Sequence, residues 1–125
     1  MTPLVQVFDM GESLAFYTAI GFQVVAISPM VTTREGTFSH WMRLAWGDEH
    51  LMLNTAYDSN ERPASRDLAR TQAHGDTVLH FDVPDVAATR AALEPKVNCT
   101  AIQENHGRRH FSIRDPDGFE LVFQS

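Results

Sequence analysis

A chain of 125 residues, 43% hydrophobic and 21% charged, has the balance of an ordinary globular protein and enough length for one domain with a buried core. Ten basic against sixteen acidic side chains leave a formal charge of -6, which argues against nucleic acid or an anionic membrane surface as partner. Cys99 is the only cysteine and no apolar run approaches the ~20 residues that span a bilayer, so internal disulfides and membrane helices are excluded.

The first stretch, Leu4 to Phe8, reads as a strand. Asp9 stands where a helix N-cap belongs, with Glu12 three residues on as in a capping box. Leu14, Phe16, Tyr17 and Ile20 give the following helix its apolar stripe, and Gly21 can end it. A second strand is expected over residues 22–27, a loop over 29–36, and a hairpin over 38–54 that turns at Trp46-Gly47-Asp48-Glu49. The polar, turn-rich stretch 56–76 reads as a linker with one helical turn near 67–71. Residues 78–83 then alternate cleanly as a strand, Asp85 caps a helix over 86–93, and Pro95 helps to stop it. A strand over 97–102, with Cys99 as a small core residue, and a loop over 104–108 complete the approach to the last element. That element is a second hairpin, His110 to Ile113 and Phe119 to Phe123, about the tight turn Asp115-Pro116-Asp117-Gly118.

The chain repeats. Its two capping residues, Asp9 and Asp85, lie 76 positions apart, and so do the strands before and after the helices. Leu51-Met52-Leu53 matches Leu121-Val122-Phe123 at an offset of 70, the first loop being the longer. The expected fold class is therefore α+β, a single domain over 1–125 built from two tandem βαβββ modules: residues 1–55, a linker over 56–76, and residues 77–125.

This order of elements, with Ser13-Leu14-Ala15-Phe16-Tyr17 leading to Gly21-Phe22 and the closing Asp115-Pro116-Asp117-Gly118, resembles the vicinal oxygen chelate superfamily. That group holds glyoxalase I, extradiol dioxygenases, fosfomycin-resistance enzymes and the bleomycin-resistance-like binding proteins. The resemblance implies that each module curls its four strands into half of a cup and that two chains pair as a homodimer. The superfamily's enzymes hold a divalent metal with side chains from the first and last strand of each module. Those positions fall on Thr2, Met52, Val78 and Val122 here, and none of the four suits the oxygen and nitrogen coordination such a metal prefers: a valine cannot ligate at all and a thioether is a soft ligand. No metal and no cofactor are therefore expected.

Period-two alternation says which side chains share the face of those four. Glu120, Val122 and Gln124 lie opposite Phe119, Leu121 and Phe123; Val78, His80 and Asp82 lie opposite Leu79, Phe81 and Val83. His110, Ser112 and Arg114 oppose Phe111 and Ile113; His50, Met52 and Asn54 oppose Leu51 and Leu53; Trp41 and Arg43 oppose Met42, Leu44 and Trp46. The ligand-binding candidates are thus Trp41, Arg43, His50, Met52, His80, Asp82, His110, Glu120 and Val122, with Phe38 and Tyr57 extending an aromatic plate around Trp41. Apolar walls with a few polar groups suit a planar, drug-sized molecule, and the acidic side chains suit a cationic one.

By resemblance, then, the chain is expected to be a binding protein of the bleomycin-resistance type, sequestering an aromatic or cationic organic molecule such as an antibiotic, with no catalytic residues. The alternative is a metal-dependent lyase, isomerase or dioxygenase with displaced ligands, His80, His110 and Glu120. A metal-free enzyme using His80 with Asp82 or Glu120 as acid and base has no motif in its favour. Each candidate also has a plain structural reading: His80 as a hydrogen-bonded strand residue, Arg43 as half of an ion pair, Trp41 as an interface residue. The start shows no basic-then-apolar leader, so a cytoplasmic location is expected.

Overall fold

A computed structural model describes all residues, 1–125. The chain divides into two compact units, Met1–Asp67 and Leu68–Ser125. Each is an α+β unit built on a mixed four-stranded sheet, with a helix following the first strand of that sheet.

In the first unit β1 (Leu4–Val7) leads into α1 (Met10–Ala19), β2 (Gln23–Ile27), β3 (Met30–Thr33), β4 (Gly36–Ser39), β5 (Trp41–Trp46) and β6 (Glu49–Thr55). The sheet order is β1-β6-β5-β2, with β1 and β6 parallel and the other pairs antiparallel. Asp9 caps α1 by accepting the Glu12 N–H at 3.0 Å. The reciprocal half of a capping box is not made, because the Glu12 carboxylate goes to Arg66 Nη2 at 2.8 Å. Val5, Val7, Tyr17, Ile20, Phe22, Leu44, Leu51 and Leu53 are all buried, so one face of the sheet and the apolar side of α1 make the core. Trp46 joins that face against Phe22, ring centroids 5.8 Å apart.

Residues 29–36, expected as a loop, include strand β3 and the start of β4, a two-stranded hairpin inserted into the βαβββ unit. Its strands are short and half polar, with Thr32 and Thr37 sharing a hydroxyl hydrogen bond of 3.0 Å. Met30-Val31-Thr32-Thr33 does not alternate apolar with polar residues, and Gly36-Thr37-Phe38-Ser39 holds a single large apolar side chain, so the sequence carries little period-two signal there. The polar stretch after β6 is not slack either. Arg62 reaches Asp9 and Glu35 at 3.4 and 3.7 Å, and the Arg62 and Arg66 guanidinium groups lie 4.9 and 5.0 Å from the Phe8 ring centre.

The second unit runs through α2 (Leu68–Ala73), a 3-10 turn (His74–Asp76), β7 (Val78–Asp82), α3 (Val86–Leu93), β8 (Gln103–Asn105), β9 (Arg108–Arg114) and β10 (Glu120–Gln124). Its sheet order, β7-β10-β9-β8, repeats that of the first, again with the outer pair β7 and β10 parallel. The register carries the internal repeat: Leu4 partners Met52 as His80 partners Val122. The offsets of 76 and 70 thus hold in the backbone pairing. Asp85 caps α3 through the Ala88 N–H at 3.1 Å. Phe81, Phe111 and Phe123 stack on the face toward the core, with Val86 and Leu93 of α3 also buried.

The strand expected over 97–102 is absent. Val97 N–H still returns to Leu93 O at 3.0 Å, so the chain is turning off α3 there. Thr100 then makes one backbone bond to Ser112 and takes the Ser112 N–H on its hydroxyl, which replaces a ladder. Pairing begins only with β8 at Gln103 and runs into the stretch expected as a loop, 104–108, where His106 and Gly107 take φ of 51° and 75° and close a tight turn. Two successive positive φ values match the twist of a two-residue hairpin. Cys99 lies in the irregular part, half-buried, and burial pushes its thiol up from the ordinary value against the opposing pull of Arg90.

Candidate ligand-binding site

The face of the second sheet that turns away from the aromatic core carries an open cavity of about 540 Å³. Alternation builds it. On β10, Leu121 and Phe123 go to the core, which leaves Glu120, Val122 and Gln124 for the cavity. On β9 the burial of Phe111 and Ile113 likewise presents His110 and Ser112, and on β7 the burial of Phe81 presents His80. The β8–β9 turn closes one side with Gln103, Asn105, His106 and Arg108, and Thr100 completes the lining.

The chemistry of this wall differs from the apolar one expected. Three imidazoles, three carboxamides and two hydroxyls surround a single aliphatic side chain, Val122. Such groups set a ligand's orientation by hydrogen bonds, while the carbon surface they also present contributes burial. Glu120 is the only carboxylate in the lining and is half-buried. Several polar groups are already committed. Asp82 Oδ1 accepts from Arg108 Nη2 at 3.0 Å and from Gln124 Nε2 at 3.1 Å, and His80 Nδ1 lies 3.0 Å from Gln124 Oε1.

Of the sequence candidates in this unit, His80, His110, Glu120 and Val122 therefore come together on one cavity. Asp82 does not line it; its carboxylate is held at the strand end by Arg108 and Gln124. Arg114 is exposed and donates to Gly118 O at 2.9 Å, bracing the closing hairpin. Sequence reasoning missed Thr100, Gln103, Asn105, His106 and Arg108. The signal for the last four was the His106-Gly107 pair, a two-residue turn that puts Gln103, Asn105, Arg108 and His110 on one face.

In the first unit Trp41, Arg43, His50, Met52 and Asn54 lie on the face opposite the core, each half-buried. The pairings Trp41–Asn54 and Arg43–Met52 set them side by side. Arg43 is engaged within this face, donating from Nε to His50 Nδ1 at 3.0 Å and from Nη2 to Thr2 Oγ1 at 3.3 Å. The aromatic plate is not extended as expected. Tyr57 meets Phe8 edge-on at 6.3 Å, and Phe38 meets the His40 ring at 5.1 Å.

The residues do not fit the metal of the superfamily's enzymes. Val78 and Val122 have no donor atom, and no three His, Cys, Asp or Glu side chains stand close enough to hold an ion. The displaced set of His80, His110 and Glu120 thus shares a cavity without forming a ligand group.

Two tandem βαβββ repeats, each with a parallel outer pair and one helix between its first two strands, define the class of fold. The Glyoxalase/Bleomycin resistance protein/Dioxygenase superfamily model matches residues 2–123, and the chain belongs to that superfamily. Among solved structures it is similar to a bleomycin-binding protein complexed with bleomycin, at 20% identity and a TM-score of 0.71, covering 100% of this chain and 96% of that one. It is similar also to a bleomycin resistance determinant encoded on the transposon Tn5, at 20% identity and TM-score 0.72 over 100% and 95% of the two chains. A third is the bleomycin-binding protein of bleomycin-producing Streptomyces verticillus, complexed with copper(II)-bleomycin, at 16% identity and TM-score 0.70 over 98% and 92%. No curated protein matches the sequence. No helix is long and apolar enough to cross a membrane.

Proposed function

We propose that this protein binds and sequesters a small organic molecule without a metal of its own, and that the cavity on the second sheet is where it does so. The observation that carries this reading is the cavity itself: about 540 Å³ lined by convergent hydrogen-bonding groups, with no donor atom at either second-unit position where the superfamily's enzymes hold their metal. The similarity to bleomycin-binding proteins supports the same class of activity. Glu120, the one carboxylate in the wall, favours a ligand with a cationic group there, and the formal charge of -6 favours its approach.

Bleomycin is the natural first probe. Calorimetric titration is expected to give one saturable binding event, weakened roughly ten- to hundredfold in Glu120→Ala, the cost of losing a charged hydrogen-bond partner. Equal affinity in the two proteins would remove Glu120 from the site, and no heat with bleomycin or a panel of organic cations would remove the function.

The same reading includes a homodimer. Its support is the exposed apolar edge of the first sheet, where Val24, Val25 and Ile27 of the edge strand β2 are 41–52% exposed. An uncovered edge strand with apolar side chains is a pairing surface. Sedimentation should report a dimer that Val25→Lys with Ile27→Lys converts to monomer; a wild-type monomer at micromolar concentration contradicts it.

A further inference from the structure

We propose that His80 is the proton-accepting contact of the second-unit cavity, fixed as its Nδ1–H tautomer by a chain of side chains through Gln124 and Asp82, and that the ligand meets it with an N–H or O–H group. The proposal rests on the reading of this cavity as the ligand site. The hydrogen-bonded network begins at Asp82, whose carboxylate oxygens accept. Gln124 Nε2 donates to Asp82 Oδ1 at 3.1 Å, and Arg108 Nη2 donates to the same oxygen at 3.0 Å. With its NH2 committed there, Gln124 turns its carbonyl oxygen toward His80, 3.0 Å from Nδ1. The opposite amide orientation would set that oxygen against a carboxylate, so the network itself decides the assignment.

A carbonyl oxygen accepts, so His80 Nδ1 must carry the hydrogen. In the neutral ring Nε2 is then a lone pair. Gln124 is the only hydrogen-bond partner of the His80 side chain, and the ring lines the cavity. The lone pair is what His80 offers to a bound molecule.

The strands bring the three residues together. Gln124 is paired with Asp82 and Val122 with His80, so Gln124 lies beside one and diagonal to the other on the same face. Glu120 lines the same cavity and also accepts. The ligand face that fits these two groups is one with two donors: an amine, a guanidine, an amide N–H or a hydroxyl. The first unit carries the opposite setting. Arg43 Nε donates to His50 Nδ1 at 3.0 Å, which leaves the hydrogen of a neutral His50 on Nε2.

Two imidazoles of opposite tautomer in one chain make the test internal. In ¹⁵N-labelled protein with the imidazoles neutral, long-range ¹H–¹⁵N correlation is expected to show His80 protonated on Nδ1 and His50 on Nε2. Gln124→Leu should redistribute His80 toward Nε2–H and leave His50 unchanged. Phenol and anisole then probe the acceptor, sharing a ring but differing in the O–H. Phenol should shift His80 Nε2, anisole should not, and Gln124→Leu should abolish the difference. His80 protonated chiefly on Nε2, or a tautomer indifferent to Gln124, overturns the proposal at its root. An intact tautomer with neither probe perturbing any cavity residue overturns it instead through the cavity, as a failure of the ligand-site reading.

Discussion

Gly118→Ala is expected to destabilise the protein by about 2–5 kcal/mol. Two costs combine. Gly118 sits at φ +88°, where an L side chain costs roughly 1–2 kcal/mol. A Cβ there would also fall 2.5 Å from the Thr71 carbonyl oxygen, a backbone atom of α2 that cannot swing aside. Forced overpacking of this kind adds roughly 1–3 kcal/mol. The turn that Gly118 completes has little slack. Asp115 is buried and its Oδ1 accepts the N–H groups of Asp117 and Phe119, both at 2.9 Å. His74 clamps the same turn, stacked on Phe119 at 4.1 Å and 2.7 Å from Asp117 O through Nδ1. Gly107→Ala is the control, because Gly107 has φ +75° but open space where its Cβ would go. It should show only the backbone cost, roughly 1–2 kcal/mol. Urea unfolding followed by far-ultraviolet circular dichroism separates the two; equal losses would mean that the contact with α2 costs nothing.

Phe123→Ala is expected to cost about 3–5 kcal/mol, the range for a large aromatic removed from a closed core. Phe123 is 1% exposed and stacks between Phe111 at 5.2 Å and Phe81 at 5.6 Å. These three rings hold β10 between its neighbours, and the opposite face of β10 presents Glu120, Val122 and Gln124. Loss of the ring is therefore expected to weaken ligand binding as well as stability. Gln124→Ala, on the same strand but half-buried, should stay within about 1 kcal/mol of wild type. A Phe123→Ala protein no less stable than Gln124→Ala would contradict the packing described.

What the sequence revealed was whatever side-chain burial and local turn chemistry decide. The Asp9 and Asp85 caps form as expected because a short carboxylate before a helix meets its free N–H groups. The faces of β7, β9 and β10 follow from alternation, since Phe81, Phe111, Ile113, Leu121 and Phe123 can satisfy themselves only in the core. Composition misled where burial does not decide. Val97 to Ile102 has the residues of a strand but is still leaving α3, whereas Gln103–Asn105 has poor β propensity and pairs because a tight turn folds it onto β9. One wall of the cavity went unseen for that reason. The Asp82–Gln124–His80 chain depends on side-chain reach between strands distant in sequence, which no local pattern carries.

The measurement that tests the central claim most directly is chemical-shift mapping of ¹⁵N-labelled protein against a panel of small organic cations and bleomycin. If the second-sheet cavity is the ligand site, the largest shifts will fall on His80, Ser112, Glu120, Val122 and Gln124, with Leu121 and Phe123 behind them moving less. Shifts that gather elsewhere, or saturable binding that leaves these five residues unmoved, would contradict it.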